Sequence, residues 1–331
     1  MRPALHPALA RLRRDPATVQ VGLDPGPSVI LGGLDPVVAD VLVGLDSECA
    51  VTDLRRTVSR RGADPAALDS ALDALDRAGL LVLGPPATTP ESVAESLVVG
   101  PAAARRARDA RARAWVEVRG ADRVGAAVAS LLTAAGTGRV TVVDPCPTRP
   151  DEPAPGALGA DDVGLPRGPA AEHVAHRAGP GHRGRVSHER RRPDLVVLTP
   201  GASLLRASAA ALLREGVPHL VVRVGATAGT VGPLVRPGST SCLRCHDLRQ
   251  ADRDAGWPDL VEQTDRHTSA TPTPVPLAWA LAALAAQHVA TEVGGGDPAT
   301  VDATVDVALP DLMGRRRRWR QHPACGCAWP H

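Results

Sequence analysis

The stretch that decides the fold runs from Trp115 to Leu132 and reads "WVEVRGADRVGAAVASLL". It opens with a short strand-like run, and the apolar run from Arg123 onward is typical of a buried helix. A turn holding Gly120 and Gly125 joins the two. In α/β sheets, a glycine turn between a strand and a helix commonly binds nucleotide phosphates at the N-terminus of that helix.

The same alternation of strand and helix continues toward the end of the chain. The buried runs "RVTVVDP", "PDLVVLTP" and "VPHLVVRVG" are separated by apolar helical stretches, and strands are expected around 301–312. Residues 114–331 are therefore predicted to be a Rossmann-like, doubly wound α/β domain with a parallel sheet. Within it, the Pro- and Gly-rich segment "CPTRPDEPAPGALGADDVGLPRG" predicts a flexible crossover loop.

Residues 1–84 have a different pattern and are predicted to form a small winged-helix-like α+β domain. "TVQVGL" and "SVILGGL" flank the turn "DPGP", which indicates a β-hairpin. The run "LLVL" near residue 80 is expected to pair with this hairpin. Residues 85–113, rich in Pro, Ala and Arg, are predicted to be a linker with a helix near 102–113. The helices of the small domain are expected over 36–45, 51–61 and 65–78.

Three interpretations of the N-terminal domain stay open. It is a packing domain, a DNA-binding winged helix, or a peptide-binding module. In the last case a peptide adds a strand to the hairpin edge at Val19, Val21 and Leu23, beside the helix Asp64–Arg77. The arginines that motivate the DNA-binding interpretation are Arg55, Arg56, Arg60 and Arg61.

Composition limits the classes of partner. The 331-residue chain has no Lys, so all 38 basic residues are Arg, and arginine-rich stretches are weak evidence for nucleic-acid binding here. A net charge of only +2 does not call for a polyanionic partner. The N-terminus lacks the apolar core of a signal peptide, and no apolar run is long enough for a membrane span. These features predict a cytoplasmic protein, whose cysteines are expected to be metal ligands or free thiols.

The glycine turn departs from the dinucleotide-binding motif. The positions of G-x-G-x-x-G hold Gly120, Asp122 and Gly125. Asp122 places a carboxylate where a phosphate should approach, and like charges at close range cost on the order of a few kcal/mol. Asp144 ends the second strand, where an acidic residue often accepts hydrogen bonds from a ribose. Two interpretations stay open: nucleotide binding through Gly120, Gly125 and Asp144, or a structural turn in which Asp122 opens the helix.

Four cysteines lie in two short pairs near the C-terminus. Cys242 and Cys245 form CxxC, and Cys325 and Cys327 form CxC around Gly326. Two such pairs suit a tetrahedral Zn²⁺ site, and four protein ligands leave no open position for catalysis. A redox-active CxxC is the alternative, but it leaves the second pair unexplained. The sequence thus predicts a structural zinc site that holds the C-terminal tail to the segment after the sheet.

With these residues in place, about 114–331 resemble the ThiF/MoeB family, whose fold adenylates the C-termini of ubiquitin-like proteins. The resemblance is carried by the glycine turn and its helix, "VTVVDP" with Asp144, "ADDVGLPRG" and the ordered cysteine pairs. Residues 1–84 resemble the PqqD-like leader-peptide recognition module. The pairing is similar to the ThiF-like partner proteins of thiazole/oxazole-modified (TOMM) peptide biosynthesis, which belong to bacteriocin cyclodehydratase systems.

The resemblance also implies catalytic groups that this chain lacks. Active members use a Gly-rich loop, a phosphate-contacting Lys, an Arg-containing segment and an Asp-Asn pair after a later strand. Here Asp122 replaces the middle Gly, there is no Lys, and Gly201 and Ala202 stand at the Asp and Asn positions. A glycine at 201 removes a ligand for Mg²⁺ at the phosphates. The groups retained, or placed where they can substitute, are Asp144, Arg149, Arg167 and Arg206.

The resemblance and its departures together predict a zinc-containing ThiF-type protein that has lost adenylation. Its expected role is to bind a leader peptide or protein partner and present it to a modifying enzyme such as a YcaO cyclodehydratase. One alternative is an active, ATP- and Mg²⁺-dependent adenylyltransferase of a ubiquitin-like or sulfur-carrier protein. Another is a winged-helix DNA-binding regulator. A fold of this type commonly dimerises through its sheet domain, so a homodimer is expected.

Overall fold

The computed structural model describes residues 3–6, 8–45, 49–83, 89–179, 192–199, 205–266 and 272–328. The chain divides into two compact units, Met1–Arg106 and Ala107–His331. In the described ranges the strands are β1 (Pro3–Leu5), β2 (Arg11–Asp15), β3 (Thr18–Val21), β4 (Val29–Leu31), β5 (Leu81–Leu83), β6 (Trp115–Arg119), β7 (Arg139–Val143), β8 (Leu195–Leu198), β9 (His219–Val224), β10 (Ala228–Val235), β11 (Ala303–Ala308) and β12 (Gly314–Arg318).

The helices in the same ranges are named in chain order. They are α1 (Pro36–Val43), α2 (Val51–Arg60), α3 (Pro65–Arg77), α4 (Pro90–Val99), α5 (Pro101–Arg111), α6 (Arg123–Ala134), α7 (Arg167–Ala178), α8 (Leu205–Glu215), α9 (Leu243–Ala251), α10 (Trp257–Arg266) and α11 (Val275–Val293). Within the described residues no helix combines the length and the hydrophobicity that a bilayer crossing requires.

The N-terminal unit contains the predicted hairpin and three helices. β3 and β4 pair antiparallel, with Val19 opposite Leu31 and Val21 opposite Val29. β2, which sequence reasoning missed, pairs with the other side of β3, so β3 is the central strand. The prediction that "LLVL" pairs with the hairpin was wrong: its strand β5 pairs with β1 instead.

The helices of this unit follow from local sequence signals. Asp64 accepts a hydrogen bond from the Ala66 N–H at 2.9 Å and so caps α3, while Pro65 fits the first turn. Leucines at helical spacing on α3 are buried, and each fully buried leucine contributes about 1.5–3 kcal/mol to folding. The predicted linker holds two helices, α4 and α5, where one was expected. The buried leucines of α3 are Leu68, Leu72 and Leu75.

The C-terminal unit is built on a mixed sheet. Among the described residues seven strands run in the order β12-β11-β10-β9-β8-β6-β7. β7, β6, β8 and β9 are parallel, as predicted, whereas β10, β11 and β12 continue the sheet antiparallel. Helices cover both faces: α6, α7 and α11 pack with one apolar cluster, and α8 and α9 with another. The doubly wound α/β prediction is confirmed, with an antiparallel extension.

The segment between β7 and α7 differs from its prediction as a flexible loop. It folds back on itself, with isolated bridges between Pro147 and Pro166 and between Thr148 and Val163. Leu158 is fully buried in the core of the unit, and the Glu152 residue is only 2% exposed. The segment is therefore a packed part of the domain, which brings a carboxylate beneath the glycine turn.

Candidate functional site

The glycine loop, residues 120–125, joins β6 to α6 at the carboxyl end of the strand. Gly120 has a φ of +97°, which favours glycine. A Cβ on Gly125 would lie 2.0 Å from the Gly120 carbonyl oxygen and 2.8 Å from Thr199 Oγ1. Thr199 Oγ1 itself donates to the carbonyl oxygens of Arg119 and Gly120, at 3.0 and 2.9 Å. Both glycines thus serve the tight turn and the close packing of helix on strand.

Asp122 is the N-cap of α6, as one of the two sequence interpretations expected. Its Oδ1 accepts hydrogen bonds from the Val124 and Gly125 N–H groups, both at 3.1 Å. These N–H groups, with the positive end of the helix dipole, are what a phosphate would contact at this position. Part of the residue remains solvent-accessible, but burial of the carboxyl group raises the pKa of Asp122, against hydrogen bonds from Gly125 and Val124 and the charge of Arg167. The chain's own carboxylate thus occupies the anion position of the loop.

Asp144 lies beneath the loop and is fully engaged within the protein. Its side chain has no exposed surface. Oδ2 accepts from the Ala121 N–H at 2.8 Å, and Oδ1 accepts from the Cys146 N–H at 2.9 Å. The Arg167 guanidinium lies 3.0 Å from Asp144 Oδ2 and 2.5 Å from Glu152 Oε1. The result is a buried ion network in which one arginine joins two carboxylates.

Two further arginines hold the crossover segment, Arg149 from within the segment and Arg123 from the start of α6. The Arg149 N–H donates to Glu152 Oε2 at 2.7 Å, and its guanidinium lies 3.1 Å from Glu152 Oε1. Arg123, the first residue of α6, donates to the carbonyl oxygens of Asp151 and Thr273. Arg167, Arg149 and Arg123 are therefore engaged by groups of the chain itself. Sequence reasoning missed Glu152, because a single acidic residue in a Pro-rich segment has no periodic signal.

The four predicted cysteines converge into one buried cluster. Their Sγ atoms all lie within 4.8 Å of one another. The Cys242–Cys325 and Cys245–Cys327 Sγ distances are 3.5 and 3.3 Å, too long for a disulfide of about 2 Å. Four sulfurs at about 2.3 Å from a tetrahedral Zn²⁺ are on the order of 3.8 Å apart. The donor set therefore fits a metal ion such as zinc.

Local structure positions each cysteine pair. Cys242 is the N-cap of α9 and Cys245 lies in its first turn, so both sulfurs point to the same side. Gly326, with a φ of +71°, gives the second pair its tight turn. The His322 N–H donates to Cys245 Sγ at 3.3 Å. The hydrogen bond from the Cys242 thiol, with that from the His322 N–H, lowers the pKa of Cys245, against the effect of burial.

The residues predicted to bind a peptide are placed differently from the prediction. Val19 and Val21 are fully buried in the core of the N-terminal unit. They lie on β3, whose two edges are both paired, so they do not form an open strand edge. Leu23, beyond the end of β3, is 55% exposed. Among the described residues, the open edges of this sheet belong to β2 and β4.

The arginines that motivated a DNA-binding interpretation are largely paired with carboxylates. Arg55 contacts Asp69 at 2.8 Å and Arg56 contacts Asp53 at 2.7 Å. Arg61 contacts Asp40 at 2.6 Å. Neutralised arginines are a weak site for phosphates. Arg60 donates to Thr57 Oγ1.

Arg206, Gly201 and Ala202 are the other residues that the sequence resemblance singled out. Arg206, on α8, forms a bidentate pair with Asp247 at 2.9 and 3.3 Å. Because α8 and α6 pack with different apolar clusters, Arg206 belongs to a helix on the opposite face of the sheet from α6. Gly201 and Ala202, which stand at the Mg²⁺-binding positions of the resemblance, lie outside the described residues.

No protein-family model matches this sequence, and no curated protein matches it significantly. Solved structures do share its fold. A crystal structure of E. coli MccB with AMPCPP and MccA has a TM-score of 0.74 at 15% identity, covering 99% of this chain and 100% of that chain. MccB in complex with N-formylated MccA, described as a microcin C7 biosynthetic enzyme, has the same TM-score and identity.

A heterocyclase in complex with substrate and cofactor is also similar. Its TM-score is 0.65 at 16% identity, over 99% of this chain but only 39% of the larger heterocyclase. At such identities the likeness shows the fold. The ThiF/MoeB-like fold expected from the sequence is thereby confirmed. The PqqD-like character of residues 1–84 stays a prediction.

Proposed function

We propose that this chain is a zinc-containing, adenylation-deficient ThiF-type protein that binds a peptide or protein partner. It presents this partner to a separate modifying enzyme, such as a YcaO cyclodehydratase. The observation that carries the first half of the proposal is the capping of α6 by Asp122. The second half is supported by fold neighbours that were crystallised with the MccA peptide and by the likeness to a heterocyclase.

The glycine loop does not fit ATP. A phosphate at the start of α6 would meet the Asp122 carboxylate, whose Oδ1 already accepts the Val124 and Gly125 N–H groups. Displacing this carboxylate would leave a negative charge beside the phosphate and remove the cap, which alone contributes about 1 kcal/mol. The positive end of the α6 dipole is thus already neutralised by the Asp122 carboxylate of the same chain.

The charges that adenylation needs are also engaged elsewhere. Phosphoryl chemistry depends on positioned positive charge, and the chain has no Lys. Arg167 is the obvious substitute, but its side chain is 5% exposed and its guanidinium is held between Asp144 and Glu152. Asp144 is likewise enclosed, so it offers no surface to a ribose. Loss of one such electrostatic contact typically lowers kcat about 10²–10³-fold.

The partner-binding edge is assigned to β4. A peptide that adds a strand needs an unpaired sheet edge, which β3 does not offer. β4 provides this edge, and Ile30 at its centre is 52% exposed. Val29 and Leu31 face the core, so only the outward side of this strand is free to contact a partner. β2, on the opposite edge, is rich in arginine, and its Arg13 is paired with Asp40.

The four-cysteine cluster is assigned a structural Zn²⁺ held by Cys242, Cys245, Cys325 and Cys327. When bound, the ion would join the start of α9 to the C-terminal tail. All four ligand positions are protein thiolates, so this site supplies no catalytic water. A cytoplasmic location and a homodimer belong to the same proposal.

ATP–pyrophosphate exchange on the full-length, zinc-loaded chain tests the loss of adenylation. We expect no exchange above background, with or without a candidate peptide. Robust exchange would favour the alternative, an active adenylyltransferase, which the MccB structure with AMPCPP makes worth testing.

Fluorescence titration of a labelled leader peptide tests partner binding. The full-length chain is expected to bind it, and Ile30→Glu should weaken binding about tenfold or more, because a charge replaces an apolar contact. Leu12→Glu is the matched control, since Leu12 lies on the opposite edge strand and is also exposed. Equal weakening by both variants, or no binding at high micromolar concentration, would contradict the β4 assignment. Affinity should also depend only weakly on salt, unlike binding to DNA.

A further inference from the structure

A cleft of about 350 Å³ lies within the C-terminal unit, over strands β9 to β12 and away from the glycine loop at β6. Arg223, near the carboxyl end of β9, Thr230 on β10 and Asp306 on β11 form a row across the sheet, because Thr230 is the register partner of both others. His246 and Gln250, one turn apart on α9, face this row. Trp257 and Trp319 provide apolar walls.

Arg223 is a partly buried cation with no ion-pair partner among the described residues. Its Nε is enclosed and has no hydrogen-bond partner, and among the described residues its guanidinium forms no ion pair. The two nearest carboxylates are already used. Asp247 pairs with Arg206 at 2.9 Å, and Asp306 pairs with Arg317 at 2.7 Å. Burial lowers the pKa of Arg223, ahead of the opposing effect of Asp247. An enclosed N–H without an acceptor costs free energy, so the Nε of this unpaired guanidinium is a donor that an anionic ligand would satisfy.

His246 supplies a second, independent observation. The residue is only 5% exposed, and its Nδ1 is enclosed without a hydrogen-bond partner in the described part of the chain. Its ring packs on Trp319 with a centroid distance of 4.0 Å, which fixes its orientation. Buried polar atoms in native proteins are normally hydrogen-bonded. Two such atoms, Arg223 Nε and His246 Nδ1, therefore lie in residues that line one cleft.

We propose that this cleft binds a small monoanion, a carboxylate carried on a flat apolar body, with Arg223 as its ionic partner and His246 as a hydrogen-bonding neighbour. The charged residues of the lining are Arg223, Arg317 and Asp306, which leaves one net positive charge. Asp306 would repel the second charge of a phosphate dianion, so a carboxylate fits better. The tryptophan rings match an apolar or aromatic body. The inference does not depend on whether the glycine loop binds ATP.

Isothermal titration calorimetry of the full-length chain with four probes tests the ligand class. Benzoate combines the charge and the flat body, benzamide has only the body, acetate has only the charge, and inorganic phosphate is a dianion. We expect benzoate to bind 1:1, and the other three to bind at least about tenfold more weakly. Equal binding of benzamide and benzoate, or no heat with benzoate at millimolar concentration, would overturn the proposal.

Arg223→Met separates a ligand-binding arginine from a structural one. It should weaken benzoate binding about tenfold or more without lowering the melting temperature of the ligand-free protein, because the substitution removes an enclosed Nε–H that has no acceptor. Arg318→Gln is the matched control: it removes one arginine from β12 on the face opposite Arg317, and should leave both readouts unchanged. A lower melting temperature with unchanged benzoate affinity in Arg223→Met would show that Arg223 is structural.

Asp306→Asn provides a second variant that does not disturb the deepest residues. With the repelling carboxylate removed, phosphate binding should rise several-fold relative to the wild type; no rise would contradict the charge argument.

Titration with a short peptide ending in Trp, as the free acid and as the C-terminal amide, distinguishes the possible sources of the ligand's carboxylate. Binding of the acid alone, competed by benzoate, identifies a peptide C-terminus; binding of benzoate but not of the peptide acid identifies a free small carboxylate.

Discussion

The cysteine cluster and the glycine loop both include a short turn with a glycine, but they differ in how their charges are compensated. At the cluster, four like donors converge on one point, an arrangement that an external cation stabilises. At the loop, the N–H groups at the start of α6 are satisfied by Asp122, a group of the same chain. A site complemented from within keeps its fold without a ligand, whereas a site of converging thiolates depends on one.

The largest expected effect of breaking this contrast is loss of the metal. Cys325→Ser should abolish stoichiometric zinc and lower the melting temperature by more than about 10 °C, because structural zinc sites contribute many kcal/mol to folding. Metal content by mass spectrometry and differential scanning calorimetry measure both effects. Cys49→Ser, an exposed cysteine outside the cluster, is the control and should change neither. A zinc-free protein of unaltered stability would contradict a structural role.

The buried ion network below the loop is the next most sensitive part. Arg167→Met leaves Asp144 buried without a cation and Glu152 with Arg149 alone, and should cost about 3–5 kcal/mol of unfolding free energy. Arg149→Gln, at a side chain that is 37% exposed, should cost less than about 1 kcal/mol. Chemical denaturation of both variants gives the comparison. Similar small losses in the two would mean that Arg167 does not hold the network.

The loop cap should respond modestly to substitution. Asp122→Ala removes the acceptor for two N–H groups and should cost about 1 kcal/mol, whereas Asp122→Asn keeps a capping oxygen and should cost less. The measurement is urea denaturation of each variant beside the wild type. If Ala and Asn are equally tolerated, Asp122 is not the effective cap.

The smallest expected effect is a dependence on pH. Because burial raises the pKa of Asp122 in the folded protein above its unfolded value near 3.8, the folded state binds the proton more tightly than the unfolded state does. The stability that this group contributes is therefore greatest below pH 3.8 and is lost as the pH rises through the folded pKa. Over this pH window the free energy of unfolding of the wild type should fall relative to that of Asp122→Asn. Above it, the difference between the two should stay constant. An opposite slope in the denaturation series would show that the hydrogen bonds outweigh burial.

The fold was predictable from sequence where apolar residues recur regularly. β6, α6 and the buried strands of the parallel half have such a pattern. Three antiparallel strands, β2, β10 and β12, were missed for physical reasons, whereas β11 lies within the strands expected around 301–312. β2 and β12 are exposed and arginine-rich, so they show no apolar alternation. β10 contains two glycines and a proline, which weaken strand propensity.

The candidate site was only partly predictable for a different reason. The four cysteines and the capping role of Asp122 follow from spacing and position within the sequence. The partnership of Arg167 with Glu152 depends on how a Pro-rich segment folds back, and local sequence does not specify that. The central position of β3, which excludes Val19 and Val21 from the peptide edge, depends on β2, a strand without a hydrophobic pattern.

Calorimetric titration of Mg²⁺–ATP into the zinc-loaded, full-length chain tests most directly whether Asp122 excludes a nucleotide from the glycine loop. The same titration is made with the Asp122→Gly variant. We expect no binding to the wild type at concentrations up to about 1 mM. Weak binding should emerge in the glycine variant, because the helix N–H groups are then free to donate hydrogen bonds to a phosphate. Micromolar binding to the wild type, unchanged in Asp122→Gly, would show that the Asp122 carboxylate does not exclude the nucleotide.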